Sequence, residues 1–392
     1  MEQIDKKIRL FLPLEELEKS AFEQVVNMGK LPFVHGISVM ADAHMGKGAC
    51  VGSVIATDGA IIPAAVGVDI GCGMIAVKTK FTEEDLMQKD LKKIREGIER
   101  RIPLSAGKRN NEVKGTAIER VKKLDSTKKE YYEKSARDWA CQLGTLGSGN
   151  HFIEISIDEN KGVWVVLHSG SRGIGNKLAE RHIKVAQKLM DDMFVALPDR
   201  ELAYLPSGWK EFDEYIYDLH WSQEYARMNR DEMMDRVMTE LSYTFFGEDG
   251  HQKEIETKRI NCHHNFTQME HHFGKNMWIT RKGAIQMQKG QFGVIPGSMG
   301  TRSYIVEGLE NPLSYASSPH GAGRRFSRSE ARRRFNMEDF ERELKGVEVN
   351  HSSEFIDEIP SAYKNIDDVM DNSKELVTIK HVLKQVINIK GN

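Results

Sequence analysis

The sequence has few cysteines, no export signal and no long apolar run, and each absence excludes a class of protein. Four cysteines are sparse for 392 residues, so a disulfide framework is not expected. The first twenty residues lack the charged segment followed by an apolar core that a signal peptide needs. No uninterrupted apolar stretch approaches the length of a membrane span. We therefore expect a cytoplasmic protein without a membrane partner.

An excess of one charge is also missing, because 56 lysines and arginines face 58 aspartates and glutamates. This balance gives no overall attraction for nucleic acid, so a basic binding surface has to come from local clusters. With 40% hydrophobic residues, the composition is that of an ordinary globular protein. The length allows two or three domains, but no repeat, low-complexity segment or Pro/Ser-rich linker marks a boundary.

The pattern of apolar residues predicts helices and strands in alternation. Strands are expected at 6–13, as short buried pieces within 36–79, at 151–157 and 162–168, and within 277–306. Helices are expected from Leu14 to about Gly29, in 83–135, at 173–195, 213–243 and 328–345, and at 374–385. This mixture indicates an α/β or α+β architecture with sheets at its centre.

Several glycine-rich segments contain side chains that bind metal. In "VGVDIGCGM", Asp69 and Cys72 lie three residues apart, although such a pair alone is more typical of a buried cysteine beside a turn-forming aspartate. His151 precedes a strand, and His168 ends one before a polar glycine loop, which is a common placement for active-site residues. In "NCHHNF", adjacent side chains diverge, so we expect His264 to be a ligand and its neighbour to be structural.

Together, these candidates offer three imidazoles, one thiolate and one carboxylate. This set suits a borderline cation such as Mn, Fe, Co or Zn better than Mg or Ca. Five ligands exceed the needs of one closed tetrahedral site, whereas two metals that share a bridging ligand would use them all. A thiolate can bridge, so Cys72 is the natural bridging candidate.

The segment "SSPHGAGRRFSR" presents His320 on a loop between a proline and a Gly-x-Gly. Arg324 and Arg328 follow, one helical turn apart, at a spacing suited to consecutive phosphates. Arg172 has a similar place beside His168, whereas the run 332–334 is more typical of a solvated basic face.

A Gly/Ser loop at 297–300 also suits a nucleotide phosphate, because its amides and hydroxyl can act as donors. It is not a Walker A loop, since no Gly-Lys-Ser/Thr follows. Lys390, near the end of the sequence, would by itself be assigned to the solvated surface.

Ten segments taken together resemble the RtcB family of RNA ligases. In order, they are "DAHMGKG", "GAIIPAAVGVDIGCGM", "LGTLGSGNHFIEI", "LHSGSRGIGN", "INCHHNF", "TRKGA", "IPGSMGTRSYIV", "HGAGRRFSR", "DEIPSAYKNID" and "IKG". They extend from about residue 32 to 391, which is nearly the whole chain. One glycine-rich motif would be weak support, but ten in the same order are specific.

The resemblance implies an enzyme that uses GTP and Mn²⁺ to join an RNA 3′-phosphate or 2′,3′-cyclic phosphate to a 5′-hydroxyl, in RNA repair or tRNA splicing. His320 would be the nucleophile that accepts GMP, and the guanylate would then activate the RNA 3′-end. The five metal candidates would hold two Mn²⁺ ions, with Cys72 bridging. The implied RNA contacts are Arg172, Arg324 and Arg328. The implied guanylate contacts are Asn150, His151, Glu154, His264, Asn265, Pro296, Gly297, Ser298, Met299, Gly300, Ser303, His320, Gly321, Ala322, Gly323, Tyr363 and Lys390.

Because the implied site draws on residues from 69 to 390, we expect one RtcB-like catalytic domain over residues 1–392, as a monomer. Asp42 and His44 are expected to support the site without a defined role, and an activating protein is a possible partner. Two alternatives stay open. A dinuclear phosphoesterase would use the same metal ligands without a nucleophilic histidine, and a catalytically silent RNA-binding protein would keep only the fold.

Overall fold

The computed structural model of the chain describes residues 1–124, 129–136 and 138–392. Its strands are β1 Glu2–Gln3, β2 Ile8–Leu10, β3 Val34–His44, β4 Val51–Thr57, β5 Ala60–Ile61, β6 Gly73–Thr82, β7 Phe152–Ile157, β8 Gly162–Ser169, β9 Leu205–Pro206, β10 Glu256–His263, β11 Asn265–His272, β12 Lys275–Lys282, β13 Ala284–Gln286, β14 Phe292–Pro296, β15 Arg302–Gly308, β16 Ser317–Pro319, β17 Glu348–Val349 and β18 Val377–Lys390. Its helices are α1 Lys19–Gly29, α2 Pro63–Val66, α3 Glu83–Met87, α4 Leu91–Arg101, α5 Thr116–Lys123, α6 Lys129–Ser135, α7 Arg172–Asp192, α8 Lys210–Phe246, α9 Gln252–Ile255, α10 Arg328–Arg334, α11 Met337–Glu343 and α12 Ile366–Asp371. Short 3₁₀ turns occur at Leu14–Glu16, Ala140–Gln142, Arg200–Leu202, Pro312–Ser314, Ser353–Glu358 and Pro360–Ala362.

Two large mixed sheets organise the chain. The six-stranded sheet has the order β1-β2-β3-β4-β12-β11, and the eight-stranded sheet has the order β10-β6-β8-β7-β18-β15-β14 with β17 beside β18. Most neighbours are antiparallel, but β2 and β3 are parallel, as are β17 and β18. The predicted α/β class is confirmed. A single domain over 1–392 stays a prediction.

The centre of the eight-stranded sheet is covered on both faces. On β6, Ile75 and Val77 belong to a core with apolar side chains of α4 and α8. The alternating residues Met74 and Ala76 belong to a second core, which also contains residues of β3, β4 and β12 from the other sheet. Alternation along one strand therefore joins a helical layer on one side to the six-stranded sheet on the other.

The 37-residue helix α8 crosses behind the eight-stranded sheet and, at 1.5 Å per residue, is about 55 Å long. Along its length it contributes to three separate apolar cores, shared with β6–β8, with α7 and with α5–α6. Buried positions therefore occur around most of its circumference. Among the described residues, no helix is long and apolar enough to cross a membrane.

The helix predicted at 374–385 is wrong, because this segment forms the long strand β18. Ile379, Val382, Leu383 and Val386 recur at helical spacing, which favoured the incorrect assignment. The strand lies inside the sheet between β7 and β15, but only its second half, 385–390, is buried throughout, whereas Ile379 in its first half is 44% exposed. A strand whose burial changes along its length loses the simple two-residue alternation that would identify it.

Other boundaries differ more modestly from the prediction. The strand expected at 6–13 covers only Ile8–Leu10, and the first helix begins at Lys19 rather than Leu14, since the 3₁₀ turn Leu14–Glu16 ends at an extended Leu17. The helical region 83–135 contains α3 to α6, and its part at 125–128 lies outside the described residues. The region 328–345 divides into two helices, because Asn336 caps the second of them.

Candidate functional site

The predicted metal ligands lie at neighbouring strand ends of the eight-stranded sheet. Cys72 directly precedes β6, His151 directly precedes β7, and His168 lies near the end of β8. His264 follows β10, which borders β6 on its other side, and Asp69 lies in the loop before β6. In the strand register, Gly73 lies opposite Ser169 on one side and opposite His263 on the other. Sheet pairing thus brings together side chains that are distant in sequence.

The ligand atoms converge on a small volume. The Cys72 Sγ lies 3.2 Å from the His168 Nε2 and 3.4 Å from the His151 Nε2. The Nε2 atoms of His168 and His264 are 2.9 Å apart, and an Asp69 carboxylate oxygen lies 3.0 Å from the His151 Nε2. Within the described part of the chain, Cys72, His151 and His168 meet the geometry of a metal-binding group, with ligand atoms within 4.8 Å of one another.

The outer nitrogen of each of the three imidazoles contacts an oxygen acceptor, which fixes the tautomer. The acceptors are the Leu146 carbonyl for His151 (3.0 Å), the Asn150 carbonyl for His168 (3.0 Å) and the Asn265 side-chain oxygen for His264 (3.1 Å). Each Nδ1 therefore carries the hydrogen, and each Nε2 presents a lone pair to the centre. Lone pairs that face one another at these distances repel, so the arrangement suits a cation between them.

Electrostatics agree with a metal site. Burial lowers the pKa of His168 and His264 well below the usual value, so both imidazoles are neutral ligands. Burial opposes ionisation of Asp69, but the neighbouring His151 and the charge of Arg172 outweigh it and lower the carboxyl pKa to about 2. Burial, followed by the nearby Asp69, raises the pKa of the Cys72 thiol well above its usual range. A bound cation would stabilise the thiolate form of Cys72 against this shift.

His320 is held beside this centre by Asp42. A carboxylate oxygen of Asp42 accepts from the His320 Nδ1 at 2.6 Å and from the backbone N–H groups of His320 (3.1 Å) and Gly321 (3.3 Å). Asp42 is fully buried, and the His320 ring centroid lies 4.5 Å from that of His264. Because a carboxylate accepts, the proton sits on Nδ1 and the Nε2 lone pair is available.

The loop that follows His320 packs closely against β3. Gly323 has a φ of +74°, and a Cβ at this position would come within 2.1 Å of the Asp42 carbonyl oxygen. Only glycine combines this backbone conformation with such an approach. The Gly-x-Gly of the sequence therefore serves to bring the His320 loop onto the strand that carries Asp42.

A cavity of about 270 Å³ opens beside His320. Residues predicted from the resemblance supply most of its wall: Asn150, Glu154, His264, Asn265, Pro296, Gly297, Ser298, Met299, His320, Gly321, Ala322, Gly323, Tyr363 and Lys390, together with Arg324 and Arg328. Of the predicted nucleotide contacts, His151, Gly300 and Ser303 do not line it. The cavity also reaches His168, so it is continuous with the metal ligands.

The loop 297–300 lines the cavity differently from expectation. The Gly297 amide donates to the Arg302 carbonyl, the Ser298 amide to the Thr301 hydroxyl and the Gly300 amide to the Gln385 side chain. These three N–H groups are therefore committed within the protein and do not form the phosphate cradle that glycine content suggested. The loop contributes shape rather than a nest of free donors.

Glu358 organises the far wall of the cavity, and sequence reasoning assigned it no role. Its carboxylate accepts from the Tyr363 hydroxyl (2.8 Å), Lys390 (2.8 Å), Arg328 (2.6 Å) and Arg324 (3.2 Å). The Glu358 and Lys390 side chains are each only 3% exposed. Lys390 is thus a buried cation at the end of β18, contrary to the solvated position expected for it in isolation.

Some polar atoms of the wall lack a partner among the described residues. They include one carboxylate oxygen of Glu154 and the side-chain oxygen of Asn388, both buried. Burial raises the pKa of Glu154 to about 7, so this carboxyl lies near the balance between its two forms. Unpaired buried acceptors are costly, and a ligand with N–H donors, such as a guanine base, fits them.

The three predicted RNA-contacting arginines occupy different environments. Arg172 begins α7 beside the metal centre, with one guanidinium nitrogen 3.4 Å from the His151 Nδ1. Arg324 is 15% exposed and donates to Glu358, Tyr363 and two backbone carbonyls, so all its nitrogens are engaged. Arg328 is 43% exposed and remains accessible from the cavity mouth while it pairs with acidic residues.

The family described as "tRNA-splicing ligase RtcB" matches residues 24–131 and 111–391, which together cover most of the chain. The chain belongs to the RtcB family. It is 44% identical to the RNA-splicing ligase RtcB of Escherichia coli over 96% of this chain and 95% of that protein. It is 30% identical to the tRNA-splicing ligase RtcB of Pyrobaculum aerophilum (96% and 93%) and 32% identical to that of Archaeoglobus fulgidus (91% and 88%).

For this RtcB protein, the resemblance inferred from ten sequence segments is confirmed. Two residues with clear positions in the site had no assigned role in the sequence. Asp42, within "DAHMGKG", is expected from the sequence only to support the site without a defined role, and Glu358, within "DEIPSAYKNID", is given no role. What identifies them is contact with His320 and Lys390, which no local pattern encodes.

Proposed function

We propose that this protein is an RNA ligase that joins an RNA 3′-phosphate or 2′,3′-cyclic phosphate to a 5′-hydroxyl, in RNA repair or tRNA splicing, using GTP and Mn²⁺. One observation carries the proposal. An imidazole with a fixed Nδ1 proton, His320, opens its Nε2 toward a cavity that continues to a metal-ligand cluster. The family membership of the whole chain agrees with it.

Two Mn²⁺ ions would be held by Asp69, Cys72, His151, His168 and His264, with Cys72 as the shared ligand. Support comes from the inward Nε2 lone pairs and from the thiol placed between two imidazoles. When bound, the ions would neutralise phosphate charge and favour attack at phosphorus. The protein's own part is to hold neutral imidazoles and an anionic carboxylate in place before the metal arrives.

The nucleotide would lie in the cavity beside His320. Glu154 and Asn388 offer buried acceptors to the N–H groups of guanine, and Tyr363 and Lys390 close the same wall through Glu358. Asn150, Asn265, Pro296, Met299 and Ala322 complete the contact surface. Specificity for guanine over adenine follows from the acceptors, because adenine presents an acceptor at the equivalent ring nitrogen.

His320 would perform the first chemical step. Its Nε2 lone pair attacks the α-phosphorus of GTP, an N–P bond forms, and the P–O bond to pyrophosphate breaks. Asp42 keeps the proton on Nδ1 and stabilises the positive charge that develops on the ring. An oxygen of the RNA 3′-phosphate then takes the guanylate from His320, and attack by the 5′-hydroxyl releases GMP. A 2′,3′-cyclic end would first be hydrolysed to the 3′-phosphate.

The RNA ends would meet the site through Arg172, Arg324 and Arg328. Arg328 is more exposed than Arg324, the other arginine that lines the cavity, and Arg172 lies beside His151. Their cationic side chains suit the phosphates at a strand junction. An activating protein, a monomeric state and a cytoplasmic location stay predictions.

The test is covalent labelling with α-labelled GTP and Mn²⁺. We expect an acid-labile label on the wild type and none on His320→Ala. His271→Ala is the control, because the exposed His271 side chain lies on β11 and hydrogen-bonds to the side chain of Asn276, away from the cavity. An unlabelled wild type that still binds Mn²⁺ would contradict the ligase proposal and favour a dinuclear phosphoesterase.

A further inference from the structure

Two adjacent polar residues, Asn229 and Arg230, lie fully buried near the middle of α8, directly beneath the candidate metal centre. We propose that they are positioning residues of that centre, because they fix the backbone segments that carry its ligands. This inference rests on the proposed metal site. It goes beyond the ligands themselves, since in the described part of the chain neither residue lines the cavity or hydrogen-bonds to a ligand atom.

Asn229 uses its whole amide on backbone groups and one hydroxyl. Its oxygen accepts from the N–H groups of Gly144 (2.7 Å) and Thr145 (3.2 Å). Its nitrogen donates to the carbonyls of Thr145 (3.2 Å) and Gly170 (3.2 Å) and faces the Ser169 hydroxyl at 3.3 Å. The segment before β7 and the segment after β8 are therefore joined through one side chain.

The next residue in the first of these segments, Leu146, connects Asn229 to a metal ligand. The Leu146 carbonyl accepts from the His151 Nδ1 at 3.0 Å and from the Ser169 hydroxyl at 2.8 Å. The position of this carbonyl sets both the tautomer and the ring orientation of His151. A shift of the 144–146 segment would turn the Nε2 lone pair away from the centre.

Arg230 binds the other ligand-bearing segments. One of its terminal nitrogens donates to the carbonyls of Gly71 (2.8 Å) and Ser169 (3.0 Å), which adjoin Cys72 and His168 respectively. Its Nε donates to the Asn261 side chain at 2.8 Å, and its second terminal nitrogen lies 3.2 Å from the His263 Nδ1. One guanidinium thus spans the loop before β6, the end of β8 and the end of β10.

The chemistry of Arg230 argues against a role in packing alone. In the described structure, its hydrogen-bond acceptors are two backbone carbonyls and the Asn261 side-chain oxygen, with no carboxylate among them. A buried cation without a hydrogen-bonded anion is unfavourable, and apolar packing at such a position is often neutral or stabilising. The planar fork of donors, which lysine cannot reproduce, is what the three segments require.

The test compares Arg230→Lys and Asn229→Asp with wild type by Co²⁺ titration of the metal-free protein. The readouts are Co²⁺ affinity and the near-ultraviolet absorption from thiolate coordination by Cys72. We expect affinity to fall about tenfold to hundredfold and the thiolate band to shift or weaken in both variants. Thermal unfolding of the metal-free proteins reports their stability separately.

Asp218→Asn is the matched control, because Asp218 is also buried on α8 but bonds to His182 and Tyr132 on the side facing α6 and α7. It should lower stability and leave the Co²⁺ spectrum unchanged. Wild-type affinity and spectrum in both test variants would overturn the positioning role. Failure of the wild type to bind Co²⁺ or Mn²⁺ would instead contradict the metal site itself. If Arg230→Lys does not fold, Asn229→Asp, which keeps an oxygen for Gly144 and Thr145, decides.

Discussion

Replacing Asp42 with asparagine should slow the guanylation of His320 without removing the loop that presents it. Three hydrogen bonds end on one Asp42 oxygen, two from backbone N–H groups and one from the His320 Nδ1. Asparagine has the same shape and can still accept from the backbone through its oxygen. It carries no charge, and if its NH₂ group faces the imidazole, the proton moves to Nε2 and the nucleophilic lone pair is lost.

The size of the effect follows from this contact. A hydrogen bond to a charged acceptor contributes about 1.5–3 kcal/mol. The buried carboxylate also stabilises the charge that develops on the ring, so we take about 3 kcal/mol for the loss. At about 1.4 kcal/mol per factor of ten, the rate should fall about 100-fold.

The assay is the single-turnover rate of label transfer from α-labelled GTP at saturating Mn²⁺, with Co²⁺ binding as a check on the metal centre. Asp58→Asn is the control, because Asp58 pairs with His35 on the exposed surface at 3.6 Å. We expect Asp58→Asn to label at the wild-type rate. If Asp42→Asn also does so with intact metal binding, the tautomer of His320 is not set by Asp42.

Three further predictions concern the cavity wall and the metal. Burial raises the pKa of Glu154 from 4.5 to about 7, so the folded protein binds the carboxyl proton more tightly than the unfolded chain does. The free energy of unfolding should therefore fall as the pH rises from 4.5 to about 7. Chemical denaturation should show this slope and its reduction in Glu154→Gln, while guanine-nucleotide affinity, measured calorimetrically, should rise through the same range in the wild type only. Glu358→Gln leaves the buried Lys390 without its anionic partner and should lower the free energy of unfolding by about 3–5 kcal/mol, against less than about 1 kcal/mol for the exposed pair broken in Glu330→Gln; equal losses in urea denaturation would refute the burial reasoning. Mn²⁺ at about 100 times its Kd should stabilise chelator-treated wild type by about 2.7 kcal/mol and Cys72→Ser by much less, as followed by thermal unfolding; an equal gain in both would exclude Cys72 as a ligand.

The sequence predicted the α/β class and singled out residues that the structure brings together, but it misassigned one long strand. The metal candidates could be identified from the sequence because histidine, cysteine and aspartate next to glycine or asparagine at a strand end form a local pattern. The wrong assignment concerned β18, where Ile379, Val382, Leu383 and Val386 have helical spacing although the segment is a strand that is largely exposed in its first half and buried in its second. Local periodicity cannot report how many layers will cover a segment.

The sequence also did not identify residues that act through contacts with distant segments of the chain. Asn229 and Arg230 lie inside an ordinary helical pattern, and only the approach of α8 to three loops distinguishes them from any buried polar pair. Glu358 is a similar case, because three of its partners, Arg324, Arg328 and Lys390, lie 30 to 34 residues away in the sequence. The 297–300 loop is the converse case, since its composition suggested free amides, whereas contacts within the turn and with Gln385 occupy three of them.

The position of β18 has a consequence for how the chain acquires its structure. This strand is synthesised after every other strand of the eight-stranded sheet, yet it lies between β7 and β15. Until it emerges, β7 and β15 each present an open edge, and the sheet exists as two separate parts. Closure is thus a late, high-contact-order event, and such events are slow. During this interval the open edges of a nascent chain could pair with other chains. Lys390 is the last residue of β18, so it would reach the nucleotide pocket only at the end of folding.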